Sequence, residues 1–207
     1  MLPIAFAIAA VLKIGAKLAL RIGYLDPNLK LTSFPCPARS VACSRLDTEL
    51  EFSDLQCPHC KEAQPIIEKL LTEEPKARFV FQSFPLPSHN WAAKAAAYAD
   101  CVGRSSNDAF WKFLQKTYDA QSQITEANAD EKLTGIVNDS GVKGAEIVTC
   151  VAKPDTAARV EHSVALGKSV DVTSTPTVFI NGRKIGNIGI PFDVLKSLVE
   201  FQAKQGK

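Results

Sequence analysis

The residues in this chain best placed to do chemistry are two cysteines separated by two residues, Cys57-Pro58-His59-Cys60. They follow an apolar-alternating run that ends at Phe52 and open a helical segment, Lys61 to Leu71. At such a strand-loop-helix junction the first cysteine sits at the helix N-terminus. Unpaired backbone N–H groups and the positive end of the macrodipole there favour a thiolate over a thiol. Cys57 is therefore the expected nucleophile. Cys60 falls one turn deeper, near enough to close a disulfide with Cys57 and shielded from solvent, and is the expected resolving thiol. Pro58 occupies the first helical position, where its missing N–H costs nothing and its fixed φ pre-forms the turn. His59 is expected to bring an N–H donor or a positive charge beside the Cys57 sulfur. A free thiol titrates near ~8.5, and such surroundings lower that by several units. A stabilised thiolate makes an unstable disulfide, hence an oxidant.

The elements that position this pair must come from 207 residues, 46% of them hydrophobic, which suffices to bury a full core in one domain. The formal net charge is +2 with both signs dispersed, so there is no basic stripe and no nucleic-acid partner is expected. Six cysteines are more telling. In a reducing compartment those outside Cys-x-x-Cys would be a burden or metal ligands, whereas in an oxidising one they pair. An exported protein is the better fit. At the N-terminus, Leu2 to Leu12 is an apolar run of signal-core length, but no Lys or Arg precedes it, and Lys13, Lys17 and Arg21 follow. Residues 1–22 fit an atypical or truncated signal, an uncleaved membrane anchor, or an amphipathic interfacial helix, each a form of membrane targeting.

Residues 23–45 contain Pro27, Pro35 and Pro37 with little periodicity and read as a linker carrying Cys36 and Cys43. Leu46, Thr48, Leu50 and Phe52 alternate with Asp47, Glu49 and Glu51, which predicts a strand. Ala63, Ile66, Ile67, Leu70 and Leu71 form the buried stripe of the active-site helix, with an early kink expected at Pro65. Arg78 to Phe84 reads as a central strand. Trp91, Ala95, Tyr98, Ala99 and Val102 predict a helix that Gly103 ends. Asn107 and Asp108 can cap the next, with Phe110, Phe113 and Leu114 inward. Further helices are expected over Ala129 to Val137, Lys143 to Val151 and Asp155 to Lys168. Val178 to Ile180, a turn at Asn181-Gly182, and Lys184-Ile185 make a hairpin. Pro191 then opens a last helix with Phe192, Leu195, Leu198 and Val199 on one face. Trp91 and Trp111 read as core, His162 as structural, and His89 as a cap or surface residue or part of the active-site rim. Periodicity alone gives a mixed α/β chain.

Three separated motifs carry a resemblance. Glu51-Phe52-Ser53-Asp54-Leu55-Gln56 before the cysteine pair, Phe84-Pro85-Leu86 followed by His89 and an alanine-rich helix, and Thr175-Pro176-Thr177-Val178-Phe179-Ile180-Asn181-Gly182 are similar to the DsbA-like thiol:disulfide oxidoreductases, in the order of that family. The resemblance implies an α/β thioredoxin fold over residues 46–205. Its all-helical insertion, about residues 88–169, lies between the first strand-helix-strand unit and the C-terminal hairpin and helix. It implies dithiol/disulfide exchange at Cys57 and Cys60, with no cofactor beyond the redox-active disulfide and no metal. Thr175-Pro176 resembles the family's cis-proline loop, which packs on the cysteines and offers backbone groups to an extended substrate chain. Glu51 stands where the family places a buried acid that relays the proton of Cys60; read from the residues alone, it is equally a solvated strand carboxylate. Cys101 and Cys150 match the second, structural disulfide of some family members, worth about 4 kcal/mol in the chain-entropy model. Cys36 and Cys43 form a plain disulfide or a second redox pair. The implied partners are folding exported proteins and a membrane reoxidation partner of the DsbB or VKOR type. The implied setting is the periplasm or cell envelope, for a monomer that the N-terminus can tether to the membrane.

Rival readings remain at this point. An isomerase or reductase of the same fold differs only in potential, and Pro58-His59 favours oxidation. A zinc module using Cys36, Cys43, Cys57 and Cys60 has irregular spacing and leaves Thr175-Pro176 without a role. A chaperone-like binder of unfolded chains would keep its activity without Cys57.

Overall fold

The protein is described here from a computed structural model over residues 48–73, 78–186 and 191–205. The N-terminal segment and the linker with Cys36 and Cys43 lie outside the described residues, so the readings made of them are neither supported nor opposed. Strands β1 (Thr48–Ser53), β2 (Arg78–Ser83), β3 (Thr177–Ile180) and β4 (Arg183–Gly186) form one sheet in the order β2-β1-β3-β4. β1 and β2 run parallel, joined through helix α1 (Pro58–Glu73), while β3 is antiparallel to both β1 and β4. Between β2 and β3 come only helices: α2 (Ala92–Ser105), α3 (Asn107–Asp119), a 3-10 turn at Gln121–Gln123, α4 (Ala129–Asp139), α5 (Gly144–Val151) and α6 (Pro154–Ser169). Helix α7 (Phe192–Gln205) follows the hairpin. This is the α/β thioredoxin fold with a helical insertion that the resemblance implied. Asn181 and Gly182 turn the hairpin with φ of 49° and 79°, the positive values a tight turn between twisted strands requires.

Each face of the sheet has its own core. Leu50 and Phe52 of β1 join Val80, Phe84, Val172 and Phe179 on one face, with Val164 and Leu166 of α6 packed against them. Gly167 lets α6 come this close, since a Cβ there would lie 2.6 Å from the Phe84 ring. The other face carries the larger cluster, in which Phe79, Phe81, Val178 and Ile180 meet Ile67 and Leu70 of α1, Leu195 and Val199 of α7, and the insertion through Phe110, Phe113 and Tyr118. Trp91 and Trp111 are buried in it.

Several expectations need correction. Of the two readings of Glu51 the solvated one falls, since Glu49 and Glu51 are 1% and 0% exposed and the face they share lies under the larger core. β2 is not central: among the described residues it forms the edge of the sheet. Its unbroken apolar run, with Phe79, Val80 and Phe81 buried, reflects cover on both faces rather than pairing along both edges. Gly103 does not end α2, which continues to Ser105, and α3 is capped by Ser106, whose hydroxyl accepts from the Ala109 N–H at 3.3 Å. His162 is exposed on α6 rather than structural.

Cys101 of α2 and Cys150 of α5 are joined by a disulfide closing 49 residues of sequence separation. The Thr156 hydroxyl lies 3.7 and 3.9 Å from the two sulfurs. It donates to the Cys150 carbonyl at 2.8 Å and accepts from Arg159, which also pairs with buried Asp100 at 2.8 Å.

Candidate active site

The loop after β1 delivers both cysteines to the start of α1. The Cys57 N–H donates to the Asp54 carbonyl at 3.0 Å, and the Lys61 N–H returns to the Cys57 carbonyl at 3.2 Å, so Cys57 stands immediately before the first helical residue, Pro58. The helix runs on through Pro65. Cys57 is 4% and Cys60 0% exposed, and both are free thiols. The Cys57 S–H lies 3.5 Å from the Thr175 carbonyl, on the loop that brings the cis Thr175–Pro176 peptide bond against the pair. Thr175 and Pro176 are both buried.

This packing separates the two thiols electrostatically. Cys57 is lowered to about 5, chiefly because the Cys60 S–H is aimed at its sulfur; the Thr175 side chain and the backbone N–H groups of Cys60 and His59 add to this against desolvation. Cys60 is pushed far up, first by burial, then by its bond to Cys57 and by the charge of Glu51. Between pH 5 and the range of an ordinary thiol, the reduced site therefore holds one thiolate, on Cys57.

His59 is placed differently from its sequence reading. Its imidazole is not beside the Cys57 sulfur but at the surface, 3.2 Å from Glu62 one turn along the helix, and only its backbone N–H supports the thiolate. Glu51 is fully buried, which removes the solvated reading. It pairs in register with Phe81 on one side and Val178 on the other. Neither of its oxygens has a hydrogen-bond partner among the described residues. Burial lifts this carboxyl to about 8, moderated by the neighbouring Ser53 and Gln64 side chains. Ser53, next on the same face of β1, meets the Tyr118 hydroxyl at 2.9 Å. Tyr118 is raised well above an ordinary phenol by burial, with Cys60 and Glu51 adding to it.

Sequence reasoning missed the residues that hold the loop to the insertion. Gln121 donates from Nε2 to the carbonyls of Leu55 at 2.9 Å and Cys57 at 3.1 Å. Gln56 accepts from the Trp91 N–H at 2.8 Å and donates to Asn90 at 3.0 Å. Asp54 pairs with His89 at 2.7 Å. Only the last offered a signal, as an acid before the cysteine pair and a histidine after the Phe84-Pro85-Leu86 turn. Among the described residues, no three His, Cys, Asp or Glu side chains gather as a metal-ligand set. No described helix is long and apolar enough to cross a membrane.

A dithiol at a helix N-terminus, over a buried acid and under a cis-proline loop, can be compared with known proteins. The sequence pattern of the family described as "Thioredoxin" matches residues 47–200. The chain belongs to the thioredoxin family. This thioredoxin-family chain is 26% identical over 164 residues to disulfide bond formation protein D of Bacillus subtilis (strain 168), which spans 76% of the chain and 72% of that protein. It is 29% identical over 138 residues to Na(+)/H(+) antiporter NhaA 1 of Salinispora arenicola (strain CNS-205), spanning 66% of the chain but only 20% of the antiporter's length. The crystal structure of oxidised BdbD from Bacillus subtilis superposes with a TM-score of 0.70 over 84% of this chain and 95% of that one, at 23% identity, a likeness of fold.

Proposed function

We propose that the protein donates a Cys57–Cys60 disulfide to folding exported proteins, with residues 46–205 as the working domain. The observation that carries this reading is the asymmetry of the pair: one thiol at the helix N-terminus, poised as a thiolate by the Cys60 S–H and the backbone N–H groups, and the other sealed beneath it with no exposure. In the oxidised protein a substrate thiolate attacks the Cys57 sulfur. The Cys57–Cys60 bond breaks, a mixed disulfide forms, and Cys60 leaves and takes up a proton. A second substrate thiolate then attacks the substrate sulfur of the mixed disulfide and displaces the Cys57 thiolate. The substrate gains a disulfide and the protein leaves as a dithiol. The direction follows from the stabilised leaving group, since a low thiol pKa favours the reduced form.

Glu51 supplies the proton for Cys60 in this scheme, being buried beneath the pair and raised to about 8. Glu51→Gln keeps the shape but cannot titrate, and is expected to slow exchange at pH 7 by about tenfold; an unchanged rate in stopped-flow fluorescence removes the relay. Thr175 and Pro176 bind the substrate backbone next to the reacting sulfur, and Pro58 and the His59 backbone shape the helix start. Reoxidation falls to a membrane partner of the DsbB or VKOR type. The setting is the periplasm or cell envelope, with residues 1–22 as targeting segment or tether, Cys36 and Cys43 as a plain disulfide, and a monomer as the working unit.

Equilibrium titration against glutathione, with alkylation of Cys57 and Cys60 read by mass, tests the direction. A midpoint near about −120 mV, the DsbA value, is the expected result, and one below roughly −240 mV makes the protein a reductase.

A further inference from the structure

Asp54 is the point where both cysteines and the helical insertion meet. Its backbone N–H donates to the Cys60 sulfur at 3.4 Å, and its carbonyl accepts the Cys57 N–H at 3.0 Å. Its carboxylate, whose side chain is 0% exposed, is held by three donors. The Gln56 N–H reaches Oδ1 at 2.7 Å, the Leu86 N–H reaches Oδ2 at 2.8 Å, and His89 donates from Nδ1 to Oδ2 at 2.7 Å. Of these only His89 is a side chain, and it stands between β2 and α2, anchored by its own N–H to the Leu86 carbonyl at 3.0 Å. A buried carboxylate keeps its place only while its lone pairs are filled, and a charge-assisted donor is the strongest of those that fill them.

We propose that His89 is a positioning residue for disulfide exchange, setting the redox equilibrium of the cysteine pair through Asp54. The inference rests on the reading of Cys57 and Cys60 as a redox couple. The Asp54 N–H on the Cys60 sulfur draws electron density from it and makes the Cys60 S–H a better donor to the Cys57 thiolate. Removing the His89 donor loosens Asp54 from that sulfur. It also leaves a poorly compensated carboxylate beside a site that must hold a second negative charge. Both effects raise the energy of the reduced form, so the couple becomes less oxidising.

The test is the glutathione equilibrium of the wild type and of His89→Ala, His89→Gln and His89→Asn, read by alkylation and mass, with helicity and melting measured alongside. An asparagine amide can occupy the place of Nδ1, whereas a glutamine amide falls where Nε2 was. His89→Ala and His89→Gln are expected to shift the equilibrium toward the disulfide form by about fivefold, and His89→Asn by less than about twofold. Three variants indistinguishable from wild type overturn the inference, as does an asparagine variant shifted as far as the glutamine one. If His89→Ala does not fold, the glutamine and asparagine pair decides. A wild type that does not exchange with glutathione at all overturns the functional reading itself, an outcome distinct from unaltered variants of an active protein.

Discussion

Cys57→Ser lowers the rate of disulfide transfer to a reduced model peptide to the uncatalysed background, a loss on the order of 10³-fold or more, because Cys60 alone can neither form the disulfide nor take the attack. Cys60 is 0% exposed, so a substrate thiolate cannot reach it in place of Cys57. Cys60→Ser should behave in a contrasting way. The serine hydroxyl still donates toward the Cys57 sulfur, replacing the S–H that is the main reason that thiol lies near 5. Cys57 therefore stays nucleophilic but loses its resolving partner. Incubated with a peptide disulfide, this variant accumulates a one-to-one mixed disulfide visible by mass, and Cys57→Ser accumulates none. Full disulfide transfer by Cys57→Ser would move the redox chemistry to another cysteine pair, and suppression of aggregation that survives the substitution without disulfide transfer would make the protein a binder of unfolded chains.

The second large effect is a stability difference between the reduced and the oxidised protein that depends on pH. An ordinary unfolded thiol titrates near 9 and Cys57 in the fold at about 5, so its folded-state value is depressed. A depressed acid contributes stability that is fully present above its unfolded value and is lost as pH falls through its folded value. At about 1.4 kcal/mol per unit, the reduced form gains roughly 5 kcal/mol over the oxidised form between pH 4 and pH 9, and about half of that by pH 7. Glu51 has the opposite sign, since its raised value makes stability fall as pH climbs from 4.5 toward 8. To first order its contribution is common to both redox forms and drops out of their difference. Urea unfolding of both forms at pH 4, 7 and 9 measures the gap. A difference that does not change with pH would mean that the thiolate is not stabilised by the fold.

Much of this was legible in the sequence because the features are local. Cys57-Pro58-His59-Cys60 fixes a helix start by itself, and Asn181-Gly182 fixes a hairpin turn. The stripes of α1 and α7 need only their own periodicity. What escaped depends on contacts between distant segments. Read from the sequence, Glu51 is open between a buried acid and a solvated carboxylate because alternation reports that two faces differ, not whether the polar one is dry. The edge position of β2 was hidden because helices cover both its faces, giving the same apolar run that a central strand shows. His59 was read toward the sulfur from its place in the motif, whereas the structure holds its ring at Glu62. Gln121 reaches the Leu55 and Cys57 carbonyls from more than sixty positions away, with separations of 66 and 64, and no spacing rule exposes such a bond.

The disulfide between Cys101 and Cys150 bears on how electrons are counted. Two cysteine pairs in the described residues give room for four electrons per molecule, yet the pairs differ in reach. Cys101 is 2% exposed and the Thr156 hydroxyl sits against both sulfurs, while Cys150 is only partly buried, so a small thiol can approach that bond from the Cys150 side alone. The two pairs therefore keep separate accounts, with two electrons exchanged at Cys57 and Cys60 and two more whose uptake, measured with thiols of increasing size, gauges how far the helical insertion admits a reductant.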